Sequence, residues 1–292
     1  TTGFIDPKFL EAGLFNEKIT LDVANGTPLN ATGKTPSGKL IGTLGTPVDN
    51  LADARTLCIN WGLNTIEILT SMTLSGAGLD FSSGYKFVGA SPVSVSVVVD
   101  TSVNITDCEF WDMQISGVLD GGNVFRECIV GSVSYVNGFI YQSAIMGPIV
   151  LGGGASASVI KSWSFPGANV VVDMGSSGNQ LLASEWSGDL TLTNCTAGAQ
   201  ITEVRASGGT VTLDSTISAG EFHLHDTTQL VNNSTGTAIV RDYTTTKRVD
   251  ETWRDRGLDI DNPATITDTS KTAGDITVSI TDNGTNHTLQ RQ

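Results

Sequence analysis

The stretch DCEFWDMQISGVLDGGNVFRECIVGSVSYVNG, residues 107–138, decides the fold because it contains one pattern twice. An acidic residue and a cysteine come first, as Asp107-Cys108 and again as Glu127-Cys128. Each pair is followed by alternating apolar residues and a glycine turn. Alternation with a period of two is typical of short β-strands, and neither copy carries a helical pattern. The stretch therefore predicts a repeated unit of about twenty residues built from strands.

The pattern continues along the chain, and its period narrows the choice of fold. Similar units of about 16 to 22 residues, most of them ending near glycine, run from residue 103 to residue 220. Leucine-rich repeats of that period need an L-x-x-L-x-L pattern, propeller blades need about 40 residues, and hexapeptide helices need a strict six-residue period. The chain has none of these features. The sequence therefore predicts an all-β, right-handed parallel β-helix in which each unit is one coil of three short strands.

A cap is expected at the N-terminal end of the coils, because a bare coil exposes unpaired strand edges. Apolar residues at helical spacing between residues 46 and 63 predict a short amphipathic helix. Asp49 or Asn50 is placed to cap its N-terminus, and Gly62 stands where a C-terminal glycine belongs. Residues 1–63 are therefore assigned to an N-terminal segment with a capping helix.

The rest of the chain divides at the point where the repeats end. Residues 64–240 are predicted to form the β-helix, and residues 241–292 a short, charged helical neck and a small β unit. Asp282-Asn283-Gly284 lies between two alternating segments of that unit, which is the pattern of a β-hairpin turn.

Composition and charge limit the partners. The 292 residues carry a formal net charge of −14, and an acidic surface repels the phosphates of nucleic acids. No apolar run approaches the roughly 18 residues that span a membrane, and the first residues lack a signal-peptide pattern. We therefore expect neither a nucleic-acid partner nor membrane insertion. The four cysteines show no metal-ligand spacing, so we predict buried thiols, with Cys108 and Cys128 stacked on neighbouring strands.

Three stretches resemble virion proteins of tailed bacteriophages, of the tail-fibre, tailspike and appendage type. GTPVDNLADARTLCINWGL, residues 45–63, is similar to a segment that introduces the first β-helix coil in such proteins. The coils are similar in type, and residues 262–292 are similar to short β tails that end them. The resemblance implies a homotrimer, other virion proteins as partners, and a structural or adsorption role that includes binding of host-surface polysaccharide. It also implies location in the virion, after assembly in the bacterial cytoplasm.

An enzyme is the first alternative, because β-helix proteins often cut polysaccharides. Glycoside hydrolysis needs two carboxyl groups about 5 to 9.5 Å apart. Asp107 and Glu127 are expected at equivalent positions of adjacent coils, and Glu185 and Glu203 are about one coil apart as well. Stacked coils produce such pairs wherever acids stand at corners, which favours solvated carboxylates. No catalytic residue is assigned, and Asp107 and Glu127 are kept as the alternative.

Residues 221–226, EFHLHD, contain the predicted metal site. Because strand residues alternate in direction, His223 and His225 share one face while Phe222 and Leu224 share the other. If the histidine face lies on the three-fold axis of a homotrimer, six imidazoles converge and can bind one octahedral metal ion. The resemblance supports this arrangement, since several phage fibres and spikes use an H-x-H pair in this way. Two solvent-exposed histidines are the alternative, and no other cofactor is expected.

Aromatic side chains on the outer face could bind sugars. Burial is the expectation for tryptophan in a solenoid, either in its interior or between subunits. The candidates in or beside the coils are Trp111, Tyr135, Tyr141, Trp163 and Trp186.

The predicted function is that of a structural protein of a phage virion, in a homotrimeric fibre, spike or appendage involved in host attachment. A polysaccharide depolymerase, either a glycoside hydrolase or a lyase, and a bacterial surface adhesin are the alternatives.

Overall fold

A computed structural model gives the fold. It describes residues 16–82, 84–151, 157–175, 178–197, 200–226 and 229–242, and the backbone of three further strands, Thr265–Ile266, Thr277–Asp282 and Thr285–Gln290. The chain divides into two compact units, residues 1–244 and residues 245–292. Within the described residues, no helix has the length and apolar character needed to cross a membrane.

The first unit is an all-β parallel solenoid of about eight turns, which confirms the predicted fold class. Twenty strands form one sheet, and their ladder pairings are parallel. One short helix, α1 (Leu51–Trp61), lies between the first two strands. The strands are β1 (Ile19–Leu21), β2 (Thr65–Ile68), β3 (Met72–Leu74), β4 (Lys86–Gly89), β5 (Ser96–Val99), β6 (Glu109–Trp111), β7 (Gln114–Arg126), β8 (Ile129–Tyr141), β9 (Ala144–Ile145), β10 (Ile149–Leu151), β11 (Ala157–Ile160), β12 (Trp163–Ser164), β13 (Asn169–Asp173), β14 (Gln180–Trp186), β15 (Asp189–Thr193), β16 (Ile201–Ala206), β17 (Thr210–Leu213), β18 (Glu221–His225), β19 (Gln229–Asn232) and β20 (Ile239–Asp242).

The register of the strands stacks interior side chains into continuous ladders. From β2 onward, equivalent residues of successive coils are 15 to 25 positions apart, so the coils differ in length while the stacking is kept. Strand residues alternate between the interior and solvent, as in β16, where every second side chain is buried. The longest interior ladder is Ile66, Phe87, Phe110, Phe125, Ile140, Val159, Leu181, Thr202 and Phe222.

Three phenylalanines form the centre of that ladder. The rings of Phe87 and Phe110 are stacked with centroids 5.2 Å apart, and those of Phe110 and Phe125 with centroids 5.5 Å apart. All three side chains are fully buried. The parallel register places one ring directly above the next, and stacked aromatic pairs add to the free energy gained by burial.

The predicted capping helix is confirmed. Asn50 is its N-cap and accepts a hydrogen bond from the backbone N–H of Asp53 (2.8 Å), while Gly62 takes the left-handed conformation (φ 67°) that ends it. Its apolar face is buried against the solenoid interior, and the buried residues of that face are Leu51, Ala54, Leu57 and Cys58.

The N-terminal segment also supplies a strand that the sequence did not indicate. Strand β1 precedes the helix and pairs in parallel with β2, so that Ile19 stacks on Ile66. A 2.6 Å ion pair between Lys18 and Glu67 joins the same two strands. The first coil is therefore covered at its edge both by a helix and by a strand.

The same backbone conformation recurs at one corner of successive coils. The corner residue takes a positive φ, between 47° and 54°, at Asp112, Glu127, Gln142, Lys161 and Ala183. A small buried residue then follows at most of these corners. The Ser143 hydroxyl, for example, accepts from the backbone N–H of Cys128 (3.2 Å) and donates to the carbonyl of Tyr141 (3.0 Å). Backbone groups that the turn removes from the strand ladder are thereby hydrogen-bonded inside the solenoid.

The second unit contains a three-stranded antiparallel sheet, formed by β21 (Thr265–Ile266), β22 (Thr277–Asp282) and β23 (Thr285–Gln290). Asp282 pairs with Thr285, so β22 and β23 form the hairpin predicted at this point. The predicted helical neck lies outside the described residues.

Candidate functional site

Asp107 and Glu127 are at different corners of the coil, so the prediction that they are equivalent is wrong. Phe110 pairs with Phe125, and Trp111 pairs with Arg126. This register makes Gly122 the counterpart of Asp107 and makes Asp112 the counterpart of Glu127. Asp107 precedes strand β6, whereas Glu127 follows the last residue of strand β7. The two carboxylates therefore do not form the stacked pair on which the catalytic alternative depended.

Glu185 and Glu203 are not a stacked pair either. Glu185 pairs with Arg205 on the next coil, while Glu203 pairs with His223. The two glutamates therefore occupy different ladders.

The four cysteines are free and buried, as predicted, but Cys108 and Cys128 do not stack on each other. Cys108 is the counterpart of Asn123, whose amide oxygen accepts its backbone N–H (3.0 Å), and Cys128 is the counterpart of Met113. Burial raises the pKa of each of these two thiols to about 12. Such thiols are protonated and unreactive at neutral pH.

The two histidines lie on the outer face of β18, because Phe222 and Leu224 are fully buried in the interior. The Nε2 atom of His223 lies 2.9 Å from Oε1 of Glu221, and the same oxygen accepts from Nε of Arg241 at 3.1 Å. His225 pairs in register with Arg205. Within the part of the chain that the structure describes, no group of three or more histidine, cysteine or acidic side chains is arranged to bind a metal. The metal site in a trimer stays a prediction.

The aromatic candidates differ in burial. Trp186 is fully buried, as expected for tryptophan, whereas Trp163 is 41% exposed in the single chain. Trp111 and Tyr141 are half-buried on the outer face of the solenoid. The side chain of Tyr135 lies outside the described part of the structure.

Trp111 and Tyr141 belong to a row of alternating cations and rings along the outside of the solenoid. Nζ of Lys86 lies 3.8 Å from the centroid of the Trp111 ring, and the Arg126 guanidinium lies 5.4 Å from the centroids of both Trp111 and Tyr141. Nζ of Lys161 lies 5.7 Å from the Tyr141 centroid. These five residues are called the cation–aromatic ladder below.

The strand register builds this ladder. Trp111, Arg126 and Tyr141 are direct partners on three successive coils. Lys86 comes from the preceding coil and Lys161 from the following one. Cations therefore recur on every second coil, but at different register positions: Lys86 pairs with Glu109, two positions before Trp111, and Lys161 follows Ile160, the partner of Tyr141.

The three cations of the ladder form no ion pair with any described residue. Among the described residues, Lys86, Arg126 and Lys161 have no carboxylate oxygen within 4.0 Å, whereas Arg205 and Arg241 each form an ion pair. The Nε atom of Arg126 is buried and has no hydrogen-bond acceptor. A buried donor without an acceptor is uncommon in folded proteins.

Carboxylates stand beside the ladder, and Glu109 is the direct strand partner of Lys86. Glu109 accepts a hydrogen bond from Nε1 of Trp111 (2.8 Å). Asp112 and Glu127 stack on the adjacent corner. The surface thus presents three cations and three carboxylates close together.

Sequence reasoning named Trp111 and Tyr141 singly and missed the ladder. Their spacings along the chain are irregular, because the coils differ in length, so only the register brings them together.

Comparison with known proteins identifies no family: no family model, no curated protein and no solved structure matches the chain.

Proposed function

We propose that the chain is a structural protein of a tailed-phage virion, which assembles as a homotrimer into a fibre, spike or similar appendage and takes part in host attachment. The mechanism is mechanical and adhesive. The solenoid supplies stiffness, and its outer faces supply surfaces for other subunits and for the host.

The observation that carries this proposal is the uninterrupted parallel ladder from Ile19 to Asp242. Backbone hydrogen bonds and stacked interior side chains follow one axis through every coil, and such an arrangement resists bending. The coil-length range of 15 to 25 residues from β2 onward leaves little room for the long loops that build a substrate cleft. The sequence likeness of residues 45–63 to phage appendage proteins points in the same direction.

An exposed apolar patch supports self-association. Met146, Trp163 and Phe165 are 54%, 41% and 41% exposed. Ser164 pairs with Ile145, so Phe165 and Met146 take neighbouring positions on adjacent coils. A cluster of large apolar side chains in water is typical of protein–protein contacts.

The native mass of the purified protein tests the proposal. A homotrimer has a mass of about 92 kDa, three times the 30.6 kDa of one chain, and light scattering after size exclusion distinguishes it from a monomer. Trp163→Asp is expected to shift the protein toward the monomer, because it buries a charge in the contact. Val93→Asp is the matched control, since Val93 is 78% exposed on a turn, and it is expected to leave the mass unchanged. A wild-type monomer at 30.6 kDa contradicts the proposal.

A further inference from the structure

We propose that the homotrimer closes through one repeated contact, in which the exposed apolar patch of one copy packs against a strip of valines on the next copy. The apolar patch consists of Met146, Trp163 and Phe165. The strip, called the valine strip below, consists of Val118, Val150 and Val171. The inference rests on the proposed homotrimer and deepens it, because it names the two surfaces that meet and the way in which the copies are aligned.

The valine strip is an exposed apolar surface on a different face of the coils from the patch. Its side chains are 42%, 42% and 37% exposed, in chain order. Val118 and Val150 are both strand partners of Ser134. Val150 also pairs with Asp173, which stands two positions after Val171 in strand β13. The register therefore brings the three valines together, and neighbouring apolar side chains in water are typical of a protein–protein contact.

A three-fold ring needs two different surfaces on each copy. Each copy of a ring contacts its two neighbours through unlike surfaces, whereas a two-fold dimer uses one surface twice. The patch and the valine strip meet this requirement at the same height along the solenoid. Met146 and Val150 lie on either side of the corner at Gly147, between strands β9 and β10. On the next coil, Trp163 and Val171 lie on either side of the corresponding corner, between β12 and β13.

The positions on the two faces match around Gly167, which lies in the turn at that second corner. Trp163 and Val171 each stand four residues from Gly167. Lys161 and Asp173 each stand six residues from it. When three parallel copies turn this corner towards the three-fold axis, facing strands run in opposite directions, so residues at equal distances from the corner lie opposite each other. Trp163 then packs on the partner's Val171, and Lys161 faces the partner's Asp173.

Charge supports the same alignment. Among the described residues, neither Lys161 nor Asp173 forms an ion pair. The carboxylate of Asp173 accepts hydrogen bonds from the backbone N–H of Gly175 (2.9 Å) and from the side-chain amide of Asn194 (2.7 Å), and these contacts hold it in place. A cation beside the patch and an ordered carboxylate beside the valine strip are complementary, and complementary charges fix the register of a contact.

Substitution within the valine strip tests the inference, with native mass measured by light scattering over a range of protein concentrations. Val171→Asp is expected to weaken the trimer at least about tenfold, because it buries a charge against the partner's Trp163. Ile201→Asp is the matched control. Ile201 is β-branched and 37% exposed, as Val171 is, but it lies on β16, in the stack of strands that carries the cation–aromatic ladder. We expect the control to leave the trimer unchanged.

Exchange of the two charges tests the alignment. Lys161→Asp and Asp173→Lys are each expected to weaken the trimer about tenfold, because each places like charges opposite one another. Both substitutions in one chain should restore the trimer. Lys86→Asp is the matched control for the change in charge, since Lys86 lies on β4, outside both contact surfaces, and it should have no effect on the mass.

The outcomes separate this inference from the proposed function. A wild-type monomer contradicts both. A wild-type trimer that withstands Val171→Asp, or that Ile201→Asp weakens as much, overturns the inference and leaves the proposed function standing. A combined charge exchange that assembles no better than either single variant does the same. Circular dichroism shows whether each variant is folded, and the charge exchange decides the outcome if Val171→Asp does not fold.

Discussion

Replacing Phe110 by alanine is expected to destabilise the solenoid more than any exposed substitution. Phe110 is fully buried, and its ring is stacked on Phe87 below and on Phe125 above, with interplanar angles of 13° and 15°. Truncation of a buried phenylalanine costs about 3–5 kcal/mol, because the cavity is only partly refilled. Each stacked pair contributes a further 0.5–1.5 kcal/mol, by rough estimate, and two pairs are lost. We therefore expect a loss of about 5 kcal/mol.

Phe139→Ala is the comparison variant for this loss of stability. Phe139 lies on the outer face of the same sheet and is 48% exposed, so its truncation is expected to cost about 1 kcal/mol. Guanidinium unfolding, followed by far-ultraviolet circular dichroism, gives both values from the midpoint and the slope. The reasoning is refuted if Phe110→Ala loses less than about 2 kcal/mol, or no more than Phe139→Ala.

Three further predictions concern the corners and the interior. Ser143→Ala leaves the buried backbone N–H of Cys128 without its acceptor, so the free energy of unfolding should fall by about 1–3 kcal/mol; an unchanged denaturation midpoint would contradict the corner hydrogen bonds. Burial raises the pKa of the Cys128 thiol from 9.0 to about 12, so the folded state holds this proton more tightly than the unfolded state. The contribution of this thiol to stability should then be fully present below pH 9 and be lost between pH 9 and 12, by up to about 1.4 kcal/mol per pH unit, and equal unfolding free energies at pH 8 and pH 10 would rule this out. Gly138→Ala should unfold or strongly destabilise the protein, because the added Cβ would lie 1.9 Å from the carbonyl oxygen of Asn123. Gly78→Ala is the control: no atom lies within 4 Å of its added Cβ, so a melting experiment should show a loss of stability of only about 1 kcal/mol.

The coil architecture and the capping helix could be predicted because each depends on local patterns. The alternation of apolar residues reports which side chains face the interior, as Phe222 and Leu224 do. The helix is indicated by Asn50 at one end and Gly62 at the other, and both positions have a local backbone reason.

The strand register could not be predicted, because the same local turn occurs at two different corners of the coil. Asp107 and Glu127 both take a φ of 54°, and the residue after each is a buried cysteine whose thiol donates to a backbone carbonyl. The likeness of Asp107-Cys108 to Glu127-Cys128 therefore reports two similar turns rather than equivalent positions on adjacent coils. The coil between Phe110 and Phe125 is only 15 residues long, so aligning the chain at a period of twenty shifts every outer residue to the wrong partner.

The cation–aromatic ladder could not be predicted either, because it depends on the register. Trp111, Arg126 and Tyr141 are 15 residues apart, but the steps on either side of them are longer. No fixed period in the sequence connects the five residues. Side chains on an outer face also lack the hydrophobic pattern that identifies an interior, so only the pairing of strands brings them together.

Disulfide trapping tests the register most directly, because the ladder and every proposed contact depend on it. Asp112 and Glu127 are stacked on one corner, one strand step of about 4.8 Å apart, which lies within the Cα separation that a disulfide requires. The native thiols are buried and protonated, so they do not compete during mild oxidation. Mass spectrometry of the oxidised double variants should find an intramolecular disulfide in Asp112→Cys/Glu127→Cys and none in Asp107→Cys/Glu127→Cys. A disulfide in the second variant and none in the first would contradict the register and the ladder built on it.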